Sequence, residues 1–262
     1  MEFKYQSQPI QELAVLAESK RHSILIEGPS GCGKTYLARL FGNKLGVDDF
    51  VLVDPSVTSI RAAITESYNL NTPAVVCIEN LDKGVPAASY TLLKFLEEPN
   101  SNIYIVITCR NITRVPDTIV SRSACVSVGP PIDVDIAQYA QTTDPGKYAV
   151  LKDTQLFSCV RSFSDVNLVY SMSIDAQSYF ESLRSLMPFR DSVSNIVWKL
   201  GHYADNSETP VDFVIRYLMS LTPSIPIRRA GIECVNELSI GRMAAHAVLT
   251  KFVFDCKYGV LA

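Results

Sequence analysis

An α/β fold, a parallel sheet with helices on both faces followed by an all-helical remainder, is what this chain of 262 residues predicts. Three observations carry that expectation. Short apolar runs alternate five times with stretches of helical apolar spacing over the first 130 residues. The first of those runs leads directly into a glycine-rich loop, GPSGCGKT. After the paired prolines of GPPIDVD (129–135), strand-like alternation ceases and helical spacing takes over. Alternating strands and helices are the signature of parallel sheets, because a parallel crossover needs a connecting element.

Each element follows from its residues. PIQELAVLAESK (9–20) has helical apolar spacing behind a proline suited to a first turn. SILIEG (23–28) is almost wholly apolar, as a strand buried on both faces must be. TYLARLFGNKL then reads as a helix, DFVLVD (49–54) as a strand and TSIRAAITESY as a helix. AVVCIEN is the third strand, AASYTLLKFLEE a helix and IYIVITC (103–109) the fourth strand. A short helix within ITRVPDTIVSRS leads to the fifth strand, CVSVG (125–129). Beyond it, DVDIAQYAQ, AVLKD, the long stretch from Ser164 to Met187, DSVSNIVWKLGHYA, DFVIRYLMSL and the run from Arg228 to Lys257 are all read as helical. Boundaries are expected near 130 and, more softly, near 182, giving segments 1–130, 131–181 and 182–262.

Composition narrows the function classes. With 47% hydrophobic and 19% charged residues the chain is expected to pack a core rather than remain disordered. A net charge of −3 argues against a protein that coats itself in nucleic acid, while leaving room for a local basic strip. No apolar run reaches the length of a membrane helix, and MEFKYQSQPIQ has no apolar signal core, so a cytoplasmic protein without a membrane partner is expected. The seven cysteines form no C-x-x-C pair; reduced, mostly buried thiols are expected rather than a zinc site.

The chemistry is concentrated in two motifs. GPSGCGKT satisfies G-x-x-x-x-G-K-[ST] throughout, from Gly28 through Pro29, Ser30, Gly31, Cys32, Gly33 and Lys34 to Thr35. Its glycines let backbone N–H groups curl around phosphate, and the following helix presents its positive end. Lys34 is expected to reach the β- and γ-phosphates of ATP, and the Thr35 hydroxyl to ligate Mg²⁺. An incidental glycine turn is the plain alternative, but a strand and a helix flank the motif as a phosphate loop requires. In VVCIEN (75–80), a strand expected beside the loop-bearing strand ends in Glu79, placed to assist the metal. Asn80 stands where a second acid would orient water; it can hydrogen-bond water but cannot take its proton. Asp82 follows two residues later. The alternative is a buried strand with polar ends.

SYTLLKFLEEP (89–99) and ITCRNITRVPDTIVSRS (107–123) resemble the corresponding segments of DNA-polymerase clamp-loader subunits in the AAA+ superfamily. Those subunits carry an ALLK-x-LEEP run and a segment ending Ser-Arg-Cys, here Ser121-Arg122-Ser123. The resemblance extends over roughly residues 20–130. It implies an AAA+ sheet followed by a helical lid and a collar-like C-terminal domain, in a gamma, delta-prime or replication-factor-C small-subunit type of protein. It further implies that Arg122 is an arginine finger supplied to an adjacent subunit; a surface arginine before a strand is the plain reading. Arg110 falls on the sensor-1 position, usually Asn or Thr, with Asn111 adjacent. In RSFSDVN (161–167), Ser164 occupies the sensor-2 place and Arg161 lies one turn earlier. Implied partners are other AAA+ subunits in a homo- or hetero-oligomer, a sliding clamp and primer–template DNA. The departures all fall on the hydrolysis side, so ATP binding with weak or assembly-dependent hydrolysis is expected. A different AAA+ remodeller or helicase loader is the competing reading. His22, His202 and His246 read as isolated, Trp198 as core or interface, and Arg228, Arg229, Arg242, Lys251 and Lys257 as a solvated face.

Overall fold

The computed structural model describes residues 7–67, 72–97, 102–172, 180, 183, 195–197, 200, 210–240 and 244–258. The boundary expected near 182, much of the two helices expected around it, and Trp198, His202, Arg242, Glu98 and Pro99 lie outside those residues. The chain divides into two compact units, Met1–Asp135 and Ile136–Ala262.

In the first unit the order is α1 (Ser7–Glu18), β1 (Ser23–Glu27), α2 (Lys34–Leu45), β2 (Asp49–Val53), α3 (Val57–Ser67), β3 (Ala74–Ile78), α4 (Pro86–Glu97), β4 (Ile103–Cys109), α5 (Asp117–Val120) and β5 (Ala124–Ser127). The five strands form one parallel sheet in the order β2-β3-β4-β1-β5. Burial explains the sequence patterns. β3 and β4 are buried at every position and β1 at all but Glu27, which is why they read as unbroken apolar runs. The edge strands β2 and β5 each bury only one position.

Alternate residues feed two cores, one on each face of the sheet. Leu25, Val76, Ile78, Ile105 and Ile107 join Ile60 of α3 and Leu92 and Phe95 of α4. Ile24, Ile26, Val75, Cys77 and Val106 join Leu13 of α1 and Leu37 and Phe41 of α2. Every element of the first half was anticipated, but one adjacency was not. β4 lies between β1 and β3, so the strand ending at Glu79 is not the direct neighbour of the strand that carries the glycine loop. Glu79 and Asn80 also lie just past the end of β3.

The second unit is helical among the described residues: α6 (which begins at Asp133 and runs to Thr143), α7 (Pro145–Leu151), α8 (Phe163–Ser171), α9 (Val211–Ser220), α10 (Ile225–Ile240) and α11 (Ala245–Tyr258). Its core gathers Val166 and Val169 of α8, Phe213 and Leu218 of α9, and Phe252 and Val253 of α11, with Phe180 stacked edge-on against Phe213 and Tyr217. Ser162 caps α8 by accepting from Asp165 N–H. Arg161 lies just before that cap, its Nη1 donating to the carbonyls of Ser158 and Val160.

Candidate functional site

The sheet register gathers most of the candidate residues at one rim. Glu27 is level with Cys109 on β4, and Ile78 with Ile107. The chain segments leaving β1, β3 and β4 therefore emerge side by side at the carboxyl ends of the strands, where open α/β sheets bind ligands. Gly28 N–H continues the ladder by donating to Cys109 O at 3.1 Å.

The glycine loop owes its shape to its sequence. Gly31 and Gly33 have φ of 74° and 96°, a left-handed conformation that side chains disfavour. Gly28 is required for a different reason: a Cβ there would lie 2.5 Å from Val128 O and 2.9 Å from Cys32 Sγ. Gly33 then opens α2, whose first residues are Lys34 and Thr35. Lys34 is buried, and its Nζ donates to Gly28 O at 2.7 Å and Pro29 O at 2.8 Å. Burial pulls its ammonium below the ordinary lysine value, and the nearby Arg110 adds to that effect.

Thr35 and Glu79 meet directly, the Thr35 hydroxyl donating to Glu79 Oε1 at 2.5 Å. The two residues expected at the metal thus belong to one cluster with Lys34 beside it. Asn80 has φ 49° and ψ 51°, and its N–H donates to Thr108 Oγ1 at 3.0 Å. A left-handed residue is commonly glycine or asparagine, so the asparagine has a local backbone cause in addition to any catalytic one. Thr108 was missed by sequence reasoning. A hydroxyl in the otherwise apolar run IYIVITC, buried to 2% exposure, was the available signal.

Arg110 leaves the end of β4 and reaches the loop, its Nη2 donating to Ser30 Oγ at 3.2 Å. Its backbone N–H donates to Asp82 Oδ1 at 3.1 Å, which fixes the orientation of Asp82. Arg110 Nε is enclosed and has no hydrogen-bond partner among the described residues. Glu27 serves structure here, Oε1 accepting from Ile112 N–H at 2.9 Å.

Oxygen donors suit magnesium, which prefers oxygen ligands and retains waters. Thr35 and Glu79 supply a hydroxyl and a carboxylate in contact, beside a loop whose N–H groups and Lys34 suit phosphate, so this donor set fits a magnesium nucleotide. Among the described residues no cluster of three or more His, Cys, Asp or Glu could hold a metal. None of the cysteines is in a disulfide; Cys125 is exposed and the other six are buried, with burial pushing Cys77 and Cys109 up to about 12. Among the described residues no helix is long and apolar enough to cross a membrane.

Arg122 is not in this cluster. It follows α5, on the turn before β5, with Nη2 2.8 Å from Glu97 Oε1 of α4 and Nη1 donating to Thr118 O at 2.9 Å. The next residue, Ser123, shares a 2.9 Å hydrogen bond with Ser23, the first residue of β1. Arg122 therefore sits by the start of β1 and the glycine loop follows its end, about 16 Å along the strand at ~3.3 Å per residue.

Comparison with known proteins agrees with this architecture. Residues 51–131 match the family model described as DNA polymerase III, delta subunit. The sliding-clamp-loader large subunit of Escherichia phage RB69 is 27% identical over 130 residues, covering 47% of this chain and 41% of that protein. The uncharacterized protein R776 of Acanthamoeba polyphaga mimivirus is 32% identical over 71 residues, covering 27% of this chain and 23% of its own length. These matches span less than half the length of either relative. In fold, the chain is similar to a DNA polymerase III gamma subunit-related protein of Thermotoga maritima, with TM-score 0.57, 14% identity and coverage of 95% of this chain and 98% of that one. The family match over residues 51–131, the phage relative and the shared α/β-plus-helical fold agree in likening this chain to clamp-loader proteins.

Proposed function

We propose that the chain binds ATP with magnesium at Gly28–Thr35. It would act in an oligomer of AAA+ subunits that places a sliding clamp on primer–template DNA. The observation that supports the reading is the meeting of Thr35 with Glu79 beside Lys34, which joins the glycine loop to an acid just past the end of β3. Bound magnesium supplies charge neutralisation to the phosphates. On binding, Lys34 would exchange the carbonyls of Gly28 and Pro29 for phosphate oxygens, and Thr35 and Glu79 would exchange their mutual hydrogen bond for the metal. Arg110, held at Ser30, would add a second cation over the loop.

Hydrolysis is proposed to be slow in the isolated chain. Asn80 can hold a water by hydrogen bonding but offers it no base. Asp82 has one carboxylate oxygen engaged by Arg110 N–H. The missing transition-state charge stabilisation would come from a neighbour's Arg122, since the finger of the same chain lies at the other end of β1.

The direct test is Lys34→Ala in a calorimetric titration with ATP and magnesium. ATP affinity is expected to fall at least tenfold, about 1.4 kcal/mol, while the thermal transition persists. Unchanged affinity would remove the phosphate-loop reading. Co-purification of a sliding clamp with the tagged chain tests the partner assignment, and its absence in the presence of ATP would favour a different AAA+ client.

A further inference from the structure

Arg122 lines a cleft of 400 Å³ at the start of β1 with Lys20, Arg21, His22 and Glu97. Glu97 is the only acid among the described residues that line it. Its carboxylate is 52% exposed and the guanidinium 38% exposed, and a pair so wetted adds little to stability. The geometry is nonetheless specific. Nη2 is held by Glu97 Oε1 and Nη1 by Thr118 O, two anchors from different elements that fix the plane of the fork. An arginine carries five N–H donors, so these two bonds leave three for another group. Glu97 is itself well placed to act as an anchor. It ends α4, which is seated on the sheet by Ala88, Leu92, Phe95 and Leu96, all buried.

We propose that Glu97 is a positioning residue for Arg122: it orients the guanidinium on its own subunit so that the free edge meets the phosphates of a neighbouring subunit's nucleotide. The proposal rests on the trans-finger reading of Arg122. It assigns Glu97 an orienting role through Arg122 and no contact with nucleotide. Pre-organisation of this kind acts on rate more than on binding, because misplacing a charge-stabilising group by about 1 Å can lower a rate on the order of a hundredfold.

Two measurements test it. In the ATPase of the assembled protein, Glu97→Ala is expected to lower kcat roughly ten- to a hundredfold with KM for ATP unchanged. Glu97→Gln, which keeps an acceptor oxygen at the same reach, is expected to recover most of that loss. In an Arg122→Ala background, Glu97→Ala is expected to add nothing, since the group it orients is gone. In the isolated chain, nitrogen-15 NMR of the Arg122 guanidinium reports rotation about its Cζ–N bonds directly. Slow rotation in the parent and fast rotation in Glu97→Ala are expected. Equal rotation in the two proteins, or a parental kcat for Glu97→Ala alongside an impaired Arg122→Ala, overturns the positioning role. A parental kcat for Arg122→Ala instead overturns the finger reading beneath it.

Discussion

Lys34 is enclosed by the carbonyls of its own loop, and that enclosure has a consequence for pH. Burial, with Arg110 nearby, holds its pKa below the usual lysine value, so in the free protein the ammonium is lost earlier as pH rises. Phosphate oxygens beside it would favour the charged form and raise the pKa again. ATP binding at alkaline pH is therefore expected to take up a proton, and affinity to fall as pH climbs through the free-state pKa. The sign for folding is the opposite: the unfolded chain binds more protons in that window, so stability contributed by this group rises with pH until the unfolded value is passed. Calorimetry in alkaline buffers of different ionisation heats measures the uptake, and Lys34→Met should abolish it. Asn80 is the second informative residue. From sequence it reads as a residue that can hold a water but not take its proton; its φ of 49° adds a backbone reason for an asparagine there. Glutamate there would carry a left-handed penalty of about 1–2 kcal/mol, whereas aspartate tolerates the conformation. Asn80→Asp is therefore the substitution that restores a carboxylate without disturbing the turn. It is expected to raise the ATPase of the assembled protein with an unchanged melting temperature; an unchanged rate would leave water positioning to another group.

At the scale of elements, the glycine loop and the packing of α10 on α9 offer a contrast in how tightly packing restricts a side chain. A Cβ on Gly28 would meet a backbone oxygen, Val128 O, at 2.5 Å, and the β5-to-α6 segment cannot yield without distorting the sheet edge. A Cβ on Gly231 of α10 would meet Met219 Sδ at 2.2 Å, but methionine is flexible and can swing aside. Alanine also favours a helix interior over glycine by about 1 kcal/mol. Gly28→Ala is therefore expected to destabilise the first unit by about 1–3 kcal/mol, and Gly231→Ala to be close to neutral, as urea titrations of the two variants would show. Comparable losses would mean that the methionine is as fixed as the strand. These cases mark what a sequence can disclose about elements. The five strands were legible because burial on both faces leaves an apolar run, and the loop was legible because its glycines serve a local backbone. The insertion of β4 between β1 and β3 was not legible, since pairing order is a long-range matter that no local pattern encodes. For the same reason the link from Asn80 N–H to Thr108 and the hold of Asp82 on Arg110 N–H could not be foreseen, both joining segments 28 residues apart.

At the scale of the whole molecule, the position of Arg122 sets the proposed finger apart from the proposed phosphate loop. The loop that would bind it and the finger that would act on it lie at opposite ends of β1, farther apart than an arginine side chain extends. If Arg122 acts on phosphate at all, it acts on a neighbour's. Arg122→Ala should then leave ATP affinity of the isolated chain nearly unchanged and depress the ATPase of the assembly on the order of a thousandfold or more. Mixing supplies the decisive comparison. On the proposed reading a Lys34→Ala chain would lack a working phosphate loop but keep its finger, and an Arg122→Ala chain would have the reverse. Each is expected to be inactive alone. Where chains self-associate, some interfaces in the mixture pair the intact loop of one with the intact finger of the other, and activity should return in proportion to those interfaces, while the isolated variants stay silent at every concentration. Where the partner is a different subunit, the same logic holds with the variant placed on either side of the shared interface: the loss follows Arg122 on the donor side and Lys34 on the receiving side. Loss of ATP affinity by isolated Arg122→Ala equal to that of Lys34→Ala would mean that the two residues serve one site in one chain, against the separation the sheet imposes.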